Sequence, residues 1–317
     1  MNQSPFRGYI FVAFAAVLWA SSGTAGKALF SSGISPFDLV QIRVTVSCLC
    51  LGAILAMFRP DLLRIRPRDI GYFYLLGGVV MGLVQITYFY SISKIQVAAA
   101  ILLQYTSPVL VAIFSMCFWH EKASLRKVAA LVLAVGGCYL VVGGYNLALL
   151  QMNTEGVAAA LISAFCFAVY TLLGEYGMHR YAPWTVLFYS FFCAAISWNC
   201  FFPPFQAFLD ERTPFQWGMI FYVAIAGTLM PFALYLAGVN LIRSTRASIT
   251  ATLEPILAAG LAFVLLGEVL EPFQLAGGTL VIASVLMIQT GAEHDENSPA
   301  TIRGKSGKEI NAVSGIS

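Results

Sequence analysis

Two ionisable residues of opposite sign stand inside apolar stretches, where charge is expensive. Glu254 lies eight residues after Arg246 in RASITATLEPILAAGLAFVLLGE (246–268). At about 1.5 Å per helical residue that is about 12 Å into an apolar layer roughly 30 Å thick. A lipid-facing carboxylate there costs roughly 3 kcal/mol or more, so Glu254 is expected to face a protein interior and to meet a proton, a cation or the ammonium end of a ligand. Pro255 follows it, robs the carbonyl of Ala251 of its helical donor and softens the backbone. Arg43, about 10 Å into another apolar segment and beside Gln41 and Thr45, offers the planar fork that grips a carboxylate in a bidentate way. Each has a plainer alternative. Glu254 could be a buried structural carboxylate, Arg43 could snorkel to the headgroups, or the two could pair as a gate or lock.

Other side chains are candidates of lesser charge. Gln104, Tyr105, Thr106 and Ser107 form a polar run ahead of Pro108, and Gln85 and Asn240 are further uncharged polar groups in apolar segments; interhelical hydrogen bonding is their plainer role. Trp19, Tyr88, Tyr105, Phe167, Tyr170 and Tyr235 could build an aromatic wall, with ordinary packing as the default. Lys27 and Glu175, placed alike relative to Gly8 and Gly156, read as solvated helix ends.

The chemistry of enzymes and of cofactors is not prepared here. The three histidines (His120, His179, His294) fall at segment ends or in the C-terminal tail, and His120-Glu121 lacks the second histidine of a zinc-protease helix. No GxSxG occurs. Gly304-Lys305-Ser306 has Pro299 where a phosphate loop needs glycine. The seven cysteines all lie in apolar segments without a CxxC and are expected to be small core residues. The expectation is a non-enzyme with no cofactor, no metal and no nucleic-acid partner, whose partners are a lipid bilayer, a small molecule and, as a candidate coupling ion, the proton.

The elements that must position these residues follow from composition. Hydrophobic residues make up 59% and charged residues 10% of the chain, too little polarity to cover a soluble fold. In lipid the backbone must satisfy its own hydrogen bonds, and long unbroken apolar runs select helices over a barrel. Ten segments have spanning length: 9–29, 36–58, 70–92, 96–118, 126–144, 156–175, 184–202, 217–238, 246–266 and 273–290. The first resembles a signal peptide at its start but runs on to Leu29 and is kept as an uncleaved helix. The polar, small-residue stretch 291–317 reads as a disordered cytoplasmic tail. With the N-terminus inside, 14 of the 18 Lys and Arg fall in cytoplasmic segments and three outside, so both termini are expected in the cytoplasm.

A register of 147 residues relates the two halves. It lays Pro108 on Pro255, Glu121 on Glu268, Tyr88 on Tyr235 and Ser107 on Glu254 without a gap. Each copy holds five spans, an odd number, so the second enters the membrane from the opposite side. Inverted repeats of this kind support two related conformations around a shared midplane site, the logic of a transporter.

The residues carry a resemblance. A Trp-Ala-Ser-Ser stretch in the first helix (19–22), a tyrosine ending the third (Tyr88, Tyr235), a proline inside the fourth (Pro108, Pro255), a glutamate closing it (Glu121, Glu268) and a glycine-containing fifth helix together resemble the EamA unit of the drug/metabolite transporter superfamily. The second copy departs where Phe167, Ala168, Val169 and Tyr170 replace the Trp-Ala-Ser-Ser stretch, so the pocket between halves is expected to be asymmetric. The resemblance implies an all-α integral membrane protein of ten helices as two inverted EamA repeats, 8–144 and 156–290. It implies a multi-pass secondary carrier of the plasma (inner) membrane, exporting an amino acid or related metabolite. An uncoupled, channel-like facilitator, or uptake of another metabolite or drug-like cation, is the alternative. The binding candidates are Glu254, Arg43, Ser107, Gln104, Trp19, Tyr88, Tyr105 and Tyr235, with Pro108 and Pro255 as helix hinges.

Overall fold

Proline and small polar caps decide where many of the helices begin. Ser35 accepts the Phe37 amide ahead of Pro36, Asn153 accepts the Gly156 amide, and Thr213 and Gln216 close a reciprocal capping box around Pro214. Each arrangement satisfies amides that a helix start leaves without partners. The computed structural model describes residues 5–95, 97–119, 124–141, 144–145, 153–203, 205–266, 271–290 and 298–303. Glu121, Glu268 and His120 lie outside the described residues.

Among the described residues the chain is wholly helical. In order come α1 (Pro5–Ser31), α2 (Pro36–Phe58), α3 (Pro67–Lys94), α4 (Val97–Gln104), α5 (Ser107–Trp119), α6 (Leu125–Val141), α7 (Thr154–Met178), α8 (Pro183–Phe201), α9 (Pro214–Ala224), α10 (Met230–Ala251), α11 (Leu253–Leu266) and α12 (Pro272–Thr290). Seven helical stretches of the chain, among the described residues, are long and apolar enough to cross a membrane. Large apolar side chains such as Phe14, Leu49, Ile54, Val132, Phe165 and Phe221 are exposed, as a lipid-facing surface requires.

The two halves share their irregularities. Tyr74–Met81 within α3 is π-helical, and so is Ile225–Leu229 between α9 and α10, at overlapping repeat positions. Both copies also break their fourth helix at the same place: Tyr105 and Thr106 separate α4 from α5, and Thr252 separates α10 from α11. The stretch 246–266, expected as one span softened at Pro255, is interrupted just before Glu254. The third helix runs past Tyr88 to Lys94, so that tyrosine faces a neighbour from within the helix rather than ending it.

Packing is exchanged between the copies. α1 lies along α10, α7 lies along α3, and α6 lies along α12. At the last of these a Cβ on Gly137 would sit 2.7 Å from the Gly277 carbonyl oxygen, and one on Gly277 equally close to that of Gly137. Only glycine lets the two backbones meet at this distance.

The charges collect at two poles. The α2–α3 connection with its arginines, Asp69, Arg180 and Tyr181 meet at one, where Tyr181 donates to Asp69 at 2.6 Å and Arg180 pairs with Asp69 at 3.6 Å. Arg303 joins them, donating to the Tyr181 carbonyl at 3.0 Å and to Asn240 Oδ1 at 2.6 Å. Within the stretch expected as a tail from 291, the described residues Ser298–Arg303 are seated on this basic pole. The opposite pole holds Asp38 with Arg212 at 3.2 Å and Lys94 near Glu155 at 3.8 Å.

Candidate functional site

The site is built where the two interrupted helices meet. Pro255 has no amide to offer the Ala251 carbonyl, and that oxygen accepts instead from the Tyr105 hydroxyl at 2.8 Å. The same hydroxyl lies 2.7 Å from Glu254 Oε2. Tyr105 itself stands in the break of the first copy, so the two discontinuities are joined by one side chain. Glu254 is buried and faces the bundle rather than lipid.

Arg43 enters from α2 and is 2% exposed, which places it inside the bundle rather than snorkelling. Its Nε donates to Thr228 Oγ1 at 2.7 Å and its Nη2 reaches the Gly227 carbonyl at 3.4 Å. Both acceptors belong to the π-helical turn between α9 and α10, whose wider coil leaves groups free for side chains. The Phe89 ring lies 4.2 Å from the guanidinium carbon, a cation–π contact that holds its plane. Nη1 is buried and has no hydrogen-bond partner.

Arg43 and Glu254 line one cavity of about 60 Å³, room for a few waters in this conformation. Among the described residues no ion pair joins them, so the lock between the two that the sequence left open is not made here. Trp19, Tyr88, Gln104, Tyr105 and Ser107 line the same cavity. Tyr235 does not. It stands behind the wall, 5.3 Å from the Trp19 ring and 5.4 Å from that of Phe167, with its hydroxyl 3.1 Å from Thr171 Oγ1. Pro108 and Pro255 each follow a break by two or three residues.

Sequence reasoning missed several of the lining groups. Gln85, whose plainer role was interhelical hydrogen bonding, lines the cavity with its Nε2 unpaired, as is Gln104 Oε1. Phe89, Gly227 and Ser248 also line it. The run Ile225-Ala-Gly-Thr-Leu229 gave no periodicity signal for its π-helical turn. Lys27 and Glu175 are corrections: neither is a solvated end. Lys27 lies within α1 and donates to the carbonyls of Ile92 and Ile95 at 2.7 and 3.1 Å, while Glu175 is 1% exposed and paired with Arg243 at 3.0 Å. Both lie within reach of polar backbone that their own helices do not own, which local sequence cannot reveal.

The family comparison matches this duplicated plan. The EamA-like transporter family fits residues 6–143 and, a second time, residues 154–290. The chain belongs to the EamA-like transporter family. It is similar to an uncharacterized inner membrane transporter, YicL, of Salmonella typhimurium, at 28% identity over 293 residues, covering 89% of this chain and 95% of that protein. It is also similar to the threonine/homoserine exporter RhtA of Escherichia coli K12, at 28% identity over 248 residues, or 76% and 80% of the two chains. A solved crystal structure shares the fold with a TM-score of 0.72 at 17% identity, covering 90% of this chain and 98% of that one. The EamA relatives are transporters, and this chain is a multi-pass membrane transporter.

Proposed function

We propose that this transporter exports an amino acid or a closely related zwitterion across the inner membrane by alternating access. In this reading it has ten spans arranged as inverted five-helix repeats, 8–144 and 156–290, with both termini in the cytoplasm. The observation that carries the reading is one cavity holding a guanidinium and a carboxyl group from opposite repeats, unpaired with each other. A buried guanidinium with free N–H groups is unstable unless something fills its place. A carboxylate on Arg43 Nη1 supplies the missing acceptor, and Glu254 faces the ammonium end. The aromatic wall of Trp19 and Phe167 accommodates an apolar body. The cavity is far below the roughly 300 Å³ of a typical ligand site, so loading requires the helices around the two breaks to part.

Hydrogen-bond counting supports a proton as exchange partner. Tyr105 has one hydroxyl hydrogen for two neighbouring oxygens, Ala251 O and Glu254 Oε2. A protonated Glu254 donating to the Tyr105 oxygen frees that hydrogen for Ala251 and satisfies all three. Arrival of a substrate ammonium releases this proton from the site, giving export driven by an inward proton gradient. The similarity to the threonine/homoserine exporter RhtA supports amino acids as the class.

The test is a survival panel in a sensitive bacterial host. Wild type is expected to protect against toxic amino-acid analogues but not against nucleoside analogues or cationic dyes, and Glu254→Gln, at equal membrane level, is expected not to protect. Protection against dyes alone would overturn the amino-acid assignment. Equal protection by the variant would make Glu254 structural.

A further inference from the structure

The corner that leads into the interrupted helix is built differently in the two copies. In the first, Ile95 turns the chain with φ −126° and ψ 175°, ordinary extended backbone. In the second, the equivalent residue Ile242 is still helical and the chain turns one residue later, at Arg243, which has φ 67° and ψ 168°. That region is essentially reserved for glycine, and a residue with a Cβ holds it only when its surroundings insist.

The surroundings that insist are Glu175. One carboxylate oxygen accepts from Arg243 Nε at 3.0 Å, and the other accepts from the Ser244 amide at 2.6 Å and from the Ser244 hydroxyl. The turn residue and the one after it are thus pinned by one buried anion on α7. The helix they open carries Ser248 and Ala251 and leads across the break to Glu254, and all three line the cavity. Lys27, the repeat counterpart of Glu175, holds the Ile92 and Ile95 carbonyls at the opposite pole. Its bonds hold the end of α3, whereas those of Glu175 hold the strained Arg243 and its neighbour.

We propose that Glu175, Arg243 and Ser244 form a releasable latch that keeps the passage shut at the basic pole, with the Arg243 backbone as its hinge. When the carboxylate lets go, Arg243 relaxes to a normal conformation and the cavity wall carried by Ser244–Ala251 swings away from α7. Lys27 is the corresponding latch at the other pole. This inference rests on the alternating-access reading, and no step of it depends on which substrate is carried.

The test uses the full-length protein with its seven cysteines replaced by alanine and a reporter at Ser248→Cys. A membrane-impermeant maleimide is applied to right-side-out and to inside-out membrane vesicles. Glu175→Gln is expected to speed labelling by about tenfold from the basic-pole face only, the scale set by losing hydrogen bonds to a charged acceptor. Lys27→Met is expected to act from the opposite face only. Ser244→Ala keeps the ion pair and the amide bond, and gives a smaller change in the same direction as Glu175→Gln; it serves if the glutamine variant does not reach the membrane. Unchanged labelling from the basic-pole face, or an equal rise from both faces, overturns the latch. Face-specific labelling without any amino-acid counterflow leaves the latch standing and removes the substrate assignment.

Discussion

The two repeats trace one backbone plan with different chemistry at matching places. Where the second copy carries Glu254 after its break, the first carries Ser107; where the second holds its corner with a buried anion, the first uses the half-buried cation Lys27. The difference shows how a duplicated fold acquires a polar direction. In the proposed inverted arrangement the two copies offer equivalent gates, and substitution at equivalent positions gives the cavity a carboxyl side and, from Arg43, a cationic side. Where α6 and α12 cross, Gly137 and Gly277 admit each other's backbone equally closely.

The comparison breaks most sharply at Glu254. Glu254→Gln is expected to lower transport by about 30-fold or more at unchanged membrane level, since a hydrogen bond to a charged partner is worth roughly 1.5–3 kcal/mol and each 1.4 kcal/mol is about tenfold. Its counterpart Ser107→Ala is expected to change transport by less than about threefold. Equal effects would mean that the halves contribute alike. Arg43→Met is expected to cost about tenfold in apparent affinity, with Arg43→Lys recovering only part, because an ammonium lacks the planar fork. Initial-rate measurements over a substrate series read both.

Some of this plan was legible in the chain and some was not. The 147-residue register, the apolar spans and Pro255 were enough to expect a helix weakened at Ala251 and a carboxylate facing inward, because these depend on local composition and on the missing proline amide. The partner that takes up the freed carbonyl, Tyr105, lies 146 residues away, and only the fold brings it there. The same holds for Glu175, 68 residues from Arg243: a glutamate near the end of an apolar run looks solvated until the corner that covers it is seen. The break at Arg243 and the π-helical turns leave no hydropathy signature, since each shifts the backbone without changing its polarity.

Smaller effects sharpen the comparison through stability. Tyr105→Phe removes the bond that joins the two breaks and leaves the Ala251 carbonyl without a donor, at about 1–3 kcal/mol; a fall in melting temperature in detergent reads it. Gly137→Ala forces a Cβ against the Gly277 backbone and is expected to cost about 1–3 kcal/mol, visible in the same assay. The smallest is at the basic pole, where burial, with the nearby Arg243 and Arg303, holds His179 below the ordinary histidine value. The folded protein therefore binds this proton more weakly than the unfolded chain. Its contribution is present above the ordinary value of about 6.5 and declines as pH falls below it. A slightly lower melting temperature at pH 5.5 than at pH 8, flattened by His179→Gln, checks this.

The central claim, a zwitterion held between Glu254 and Arg43 and carried by alternating access, is tested most directly by counterflow in proteoliposomes. Vesicles loaded with unlabelled threonine are placed in labelled threonine, with wild type and Glu254→Gln compared. The account predicts transient accumulation of label above equilibrium for the wild type and none for the variant. Label that only equilibrates, at a rate indifferent to the internal amino acid, would contradict the account and describe a pore.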